Sequence, residues 1–277
     1  MIMNGFPSMA ALCYVLSTAL YGVYLFRQKD VLQKAGFILA ASGFGIHTLD
    51  ILFDFFRLGY LPLVNLRNTF GIASWSIALV FILFRLKTKI KVMGIYAAPL
   101  VTLVYIASLN LPDISRETSG VFKSSWLVLH VIMAFIGEAA LAMACGAGIL
   151  YLIQEHAIKS KKRGFFYSRL PSLEQLDAAG YTSIVVGFTV FTVGLIVGLV
   201  YAKMVWHRFA DWDPKEIWTG ISWLVYAALV HERIAAGWRG RRAAIMAIAA
   251  FALLLFSFLG VNMWIGGHHG GFVQWKM

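Results

Sequence analysis

The sequence predicts an all-α, polytopic membrane helix bundle of about eight transmembrane helices with both termini outside. Three observations carry that prediction. Of 277 residues, 60% are hydrophobic and only 13% charged, and the mean hydropathy is +0.75; a water-soluble core cannot hide that much apolar surface. Apolar runs of about 17–25 residues, the length that crosses hydrocarbon, recur along the whole chain. Lys and Arg gather in alternate connections, as orientation in a membrane requires.

The first run, 3–26, has no charged leader and no small-residue cleavage site before it, so it is expected to be a retained helix rather than a signal peptide. The second, 36–56, holds His47 near its middle, with Asp50 and Asp54 at i+3 and i+7 on the same face, where they either orient the imidazole or reach the outer surface. Runs at 69–85 and 92–109 make the third and fourth spans. The fifth, 125–153, is over-long and continues into YLIQEHAIKSKKRGFF, so its helix is expected to outrun the bilayer before a polar loop from Glu155 to Asp177. The sixth, 178–202, leads into the tryptophan-rich, charged stretch WHRFADWDPKEIW at 206–218. Pro214 suits the first turn of the seventh span, 216–232, with Asp213 as its N-cap and Glu216 three residues later in a capping-box arrangement. The eighth, 243–263, is followed by a Gly-rich tail carrying His268 and His269. The whole chain, 1–277, reads as a single integral membrane domain in which 155–177 is the only candidate linker; no internal repeat or low-complexity stretch stands out.

Placing both termini outside puts 16 of the 24 Lys and Arg residues on the inner side, among them Arg27, Arg85, Lys161, Arg233 and Arg241. Arg57, Arg67, Lys123, Arg208 and Lys215 face outward, and so does the 206–218 stretch. The net charge of +11 is then mainly a topology signal rather than a nucleic-acid footprint. Cys13 and Cys145 lie alone within apolar runs, which argues against a disulfide framework, a CxxC pair or a thiolate zinc site.

Chemistry concentrates in the histidines, because ionisable groups within spans are costly and point to function. The bland alternative is a single interhelical hydrogen bond. His47, His130 and His231 fall in or at the ends of spans, and His207, His268 and His269 fall on the outer side. His130 lies six residues into its span, about 9 Å below the outer surface at a rise of 1.5 Å per residue. His269 lies just past the eighth span, so both approach the 206–218 stretch. Imidazoles facing each other over an aromatic platform suit haem: two nitrogens for the iron, Trp faces for the porphyrin and cations for the propionates. Zinc fits less well, since no His or Cys pair has chelating spacing. Tryptophans by themselves equally describe an interfacial belt.

The stretch WHRFADWDPKEIWTGISWLVYAALVHER resembles the tryptophan-rich WWD signature of the haem-handling cytochrome c assembly family. Trp206, Trp212, Asp213, Pro214, Lys215, Glu216 and Trp218 stand at signature positions. Ala210 replaces the middle tryptophan, and His207 and Asp211 replace small residues, which makes His207 an extra ligand candidate. GFGIHTLDI, SSWLVLHVIMAFIGEAALAMACG and VNMWIGGHHGGF are similar to the family's histidine-bearing segments, and length and span count point to its system II (CcsA or ResC) branch, with a HemX-type regulator of tetrapyrrole synthesis as a related alternative.

The resemblance implies haem b as cofactor, bound within the membrane by His47 and His231 and held outside by His130 and His269, with His268 the alternative to His269. It implies Trp206, Trp212 and Trp218 beside the porphyrin, with Asp213 in the signature's core. Lys215 meets a propionate or pairs locally with Asp213 and Glu216. The implied activity is haem transport and presentation to apocytochrome c, with haem lyase (cytochrome c synthase) activity only beside a CcsB/ResB-type membrane partner and a thioredoxin-like reductant acting indirectly. The expected location is the inner cell membrane. His47 and His231 differ in depth by roughly 10 Å on these boundaries, a gap that tilt or a shifted boundary has to close. If Trp212 covers the porphyrin, Trp212→Ala lowers haem affinity by about 1–3 kcal/mol through lost contact area while the axial-ligand spectrum persists; unchanged affinity with poor membrane insertion would instead mark an interfacial belt.

Overall fold

The structure is a computed structural model and describes residues 5–61, 65–88, 90–112, 124–161, 164–207 and 214–260. Its eight helices are α1 (Gly5–Arg27), α2 (Asp30–Leu58), α3 (Leu66–Lys87), α4 (Gly94–Asn110), α5 (Ser125–Lys159), α6 (Leu173–Trp206), α7 (Pro214–Ala235) and α8 (Arg241–Leu255), the last extended by a π-helical turn at Phe256–Gly260. Seven are long and apolar enough to cross a membrane. The other is α7, whose 22 residues include Lys215 and Glu216 at one end and His231, Glu232 and Arg233 at the other.

Helix ends follow local chemistry. Asn65 caps α3 by accepting the Asn68 N–H at 2.8 Å. Gly59 closes α2 in the left-handed region, φ +76°, and its N–H reaches the Phe55 carbonyl. Ser172 and Gln175 exchange backbone-to-side-chain bonds at 3.3 Å, a capping box that starts α6 at Leu173. The polar loop expected over 155–177 is therefore shorter, because α5 runs on to Lys159 and α6 begins ahead of the apolar run. Pro214 opens α7 as expected; Asp213 lies outside the described residues.

The chain divides into two compact units, Met1–Arg116 with Ile153–Gln175, and Glu117–Leu152 with Leu176–Met277. In the first, α1 packs on α2 and α4, and α3 on α4. Gly36 and Gly43 of α2 lie under the rings of Tyr21 and Tyr14, where an added Cβ would come within 3.1 and 3.0 Å. In the second, Gly137 of α5 meets the backbone of Phe191 on α6, and Gly194 of α6 meets that of Ala134. Small residues let membrane helices approach this closely.

The units repeat one pattern that the amino-acid order conceals. In the first, Trp75 of α3 donates to Thr48 of α2 at 2.9 Å and lies 5.4 Å from Phe44 at 31°. In the second, Trp223 of α7 donates to Thr192 of α6 at 2.9 Å and lies 5.5 Å from Phe188 at 33°. Arg85 donates to Gln33 at 2.9 Å with its guanidinium over Phe37; Arg233 pairs with Asp177 at 2.6 Å with its guanidinium over Tyr181. Helices α1–α4 and α5–α8 are thus an internal repeat, contrary to the reading of the bare sequence.

Close approach is the testable part of this packing. A Cβ at Gly137 would lie 2.6 Å from the Phe191 nitrogen, whereas one at Gly45 meets nothing within 4 Å. Gly137→Ala is expected to destabilise the detergent-solubilised protein by about 1–3 kcal/mol in thermal unfolding, the usual cost of overpacking, and Gly45→Ala to leave it unchanged.

Candidate functional site

In the first unit His47 is 3% exposed, inside the α1–α4 packing. Its Nδ1 lies 3.4 Å from the Tyr14 hydroxyl, and its ring sits 4.4 Å from that of Tyr105. Gly71 of α3 faces Nε2: a Cβ there would come 3.9 Å from that nitrogen. Neither aspartate supplies the hydrogen bond to the imidazole. Asp54 turns to Arg57 at 3.0 Å, and Nδ1 faces the Tyr14 hydroxyl of the neighbouring helix instead.

In the second unit His130, six residues into α5, lies against α6. A Cβ at Gly198 would stand 2.5 Å from its Nδ1, and Nδ1 is bonded to the Gly194 carbonyl at 2.8 Å. A carbonyl only accepts, so Nδ1 carries the proton and Nε2 is the basic nitrogen. A backbone carbonyl on one nitrogen fixes the tautomer of a metal-binding histidine in this way. Counted from the Phe44/Phe188 and Thr48/Thr192 pairs, Gly194 and Gly198 occupy the places held by Asp50 and Asp54 in the first unit.

The signature stretch is described at its two ends. Trp206 closes α6, and exposed His207 turns the chain at φ +59°, its carbonyl accepting from Lys203 at 3.0 Å. Trp218 packs edge-on to Phe256, 4.9 Å between centroids, and the next residue, Thr219, bonds Ser257 at 3.2 Å. Lys215 sits in the first turn of α7. Trp212, Asp213, His268 and His269 lie outside the described residues, as does Ala210. His231 is exposed, one turn before the end of α7, and belongs to a different unit from His47. Among the described residues no three His, Cys, Asp or Glu side chains gather as a metal cluster. Tyr14, Tyr105 and Gly71 escape sequence reading because each lies on a different helix from His47.

Residues 63–269 match the cytochrome C assembly protein family. The chain belongs to that family. Its relatives include proteins described as cytochrome c biogenesis protein CcsA. One, from Prochlorococcus marinus (strain MIT 9215), is 34% identical over 250 aligned residues, 82% of this chain and 81% of the relative. Others are from Parasynechococcus marenigrum (strain WH8102), 29% identical over 96% of this chain and 95% of the relative, and Synechococcus sp. (strain CC9902), 30% identical over the same shares. The likeness to these cytochrome c assembly proteins is thus spread along the chain and not confined to the tryptophan signature.

The residues of this family member fit an iron porphyrin by two observations. His130 is held as a tautomer with its basic nitrogen turned from the anchoring carbonyl, and His47 faces a position kept small by Gly71. Gly198→Ala places a methyl group where the His130 ring lies, so haem affinity at an outer site that uses His130 is expected to fall about tenfold or more, as when the hydrogen-bonded support of a metal ligand is lost. Haem titration of the purified variant checks this; unchanged affinity would show that His130 needs no such seat.

Proposed function

We propose that the chain carries haem across the inner cell membrane and presents it to apocytochrome c for covalent attachment, as one half of a cytochrome c synthase. The observation that carries the reading is the Nδ1–H of His130 donating to Gly194, which prepares a ligating imidazole at the end of α5 nearest the signature stretch. In this reading all eight helices cross the membrane, both termini are outside, and residues 1–277 work as one integral membrane domain. The 16 basic residues at inner ends of helices and loops support that orientation.

His47 and His231 take haem b within the membrane, and His130 with His269, or with His268, holds it outside. Trp206, Trp212 and Trp218 cover the porphyrin, while Asp213 and Pro214 set the start of α7 and Lys215 meets a propionate. Haem itself supplies the vinyl groups to which the acceptor cysteines add. The chain's part is to bind, to orient the ring edge and to keep water from it, so no side chain is assigned as a general base. A CcsB/ResB-type membrane partner brings the acceptor protein, and a thioredoxin-like reductant keeps its thiols reduced.

The outer pair is tested by replacement and rescue. His130→Gly or His269→Gly empties the outer site, and added imidazole restores the low-spin spectrum because the site opens to water; no spectral change in either variant would remove those residues from ligation. His47→Gly lowers haem delivery to the outer site in cells while the purified protein still takes haem there. Normal delivery by that variant would end the transmembrane relay.

A further inference from the structure

The internal repeat supplies a control for the polar residues around His47, because two units with the same Trp–Thr, Phe–Trp and Arg contacts have packed the same positions differently. His47 corresponds to Phe191, and both are buried. Tyr14, which covers Gly43, corresponds to Leu141, which covers Gly187. Tyr105 and Phe251 stand at equal distances along the chain from Gly94 and Gly240, and Gly71 and Thr219 at equal distances before Trp75 and Trp223. The second unit fills these positions with Phe, Leu, Phe and Thr; the first has His, Tyr, Tyr and Gly. The scaffold therefore does not need the polar set. Burying it within membrane helices costs free energy, which points to a role in binding.

We propose that Tyr14 is the positioning residue of His47, accepting a hydrogen bond from Nδ1–H so that Nε2 is the ligating nitrogen, and that Gly71 keeps the approach to Nε2 open to haem. This rests on the reading of His47 as a haem ligand. An imidazole that ligates through Nε2 carries its proton on Nδ1, so the facing hydroxyl accepts. The 3.4 Å separation is long for such a bond, and the ring that carries the hydroxyl is held between Gly43 and the edge-on ring of Tyr105 at 5.4 Å, so the two groups stay facing each other. At Gly71 a Cβ alone is in ordinary contact with Nε2, 3.9 Å away, so the larger side chain of a valine would crowd that nitrogen.

The experiment uses the full chain with His130→Gly, so that the outer pair does not contribute, titrated with haemin and read by its absorption spectrum, midpoint potential and apoprotein thermal unfolding. Tyr14→Phe keeps the ring packing and is expected to weaken haem binding about 10–100-fold. It should also raise the midpoint potential, because a less basic imidazole stabilises ferric iron less, and leave apoprotein unfolding unchanged. Gly71→Val is expected to abolish binding while the apoprotein remains folded. His47→Gly is the reference for complete loss. If His47→Gly abolishes binding but Tyr14→Phe changes neither affinity nor potential, Tyr14 does not position the ligand and the proposal falls while the ligand reading stands. Full binding by Gly71→Val would overturn the open approach. Full binding by His47→Gly would overturn the ligand reading and the proposal with it.

Discussion

Within hydrocarbon two apolar helices gain nothing by meeting unless their surfaces fit more closely than lipid fits either one. The structure depends on that constraint. Gly137 against the backbone of Phe191, Gly194 against Ala134, and Gly36 and Gly43 under tyrosine rings are the points where side chains have been removed to let helices touch. Tryptophan indoles then donate to threonine hydroxyls across the α2–α3 and α6–α7 contacts, so these polar groups inside each unit are paired.

The same contacts explain how a polar site is held without collapsing the bundle. Around His47 the aromatic rings of Tyr14 and Tyr105 fill space as Leu141 and Phe251 fill it in the second unit, so polarity is added at nearly constant packing. His130 is handled differently. Its ring lies on two α6 glycines whose counterparts are Asp50 and Asp54, and a backbone carbonyl, rather than a side chain, sets its tautomer. Each imidazole thus meets a polar group of a neighbouring helix, Tyr14 in one unit and the Gly194 carbonyl in the other.

The repeat also shows how one framework holds different groups. Arg85 with Gln33 and Arg233 with Asp177 hold the same position with different chemistry, a guanidinium on a neutral amide in one unit and an ion pair in the other. Sharing the framework while changing the groups within it leaves one unit with a buried imidazole and the other with a histidine near the end of a helix, against α6.

By itself the sequence determined the all-helical membrane class, the number and order of the helices, the early start of α7 at Pro214 and the family, because apolar run length, proline position and the Trp-Asp-Pro-Lys-Glu signature are all local in the chain. It also marked His47 and His130 as costly residues within spans. Only the tertiary structure decided what those histidines face. Tyr14, Gly71 and Gly194 lie on other helices; along the chain Asp50 and Asp54 shared a helical face with His47, and whether they met the imidazole or the outer surface stayed open until the neighbouring helix was in place. The repeat stayed hidden for a related reason: lipid-facing positions exchange freely among Leu, Ile, Val and Phe, and the loops differ in length, so Phe44 and Phe188 are closer along the chain than Trp75 and Trp223. What the units share is a set of contacts, and contacts become visible only once the helices are packed.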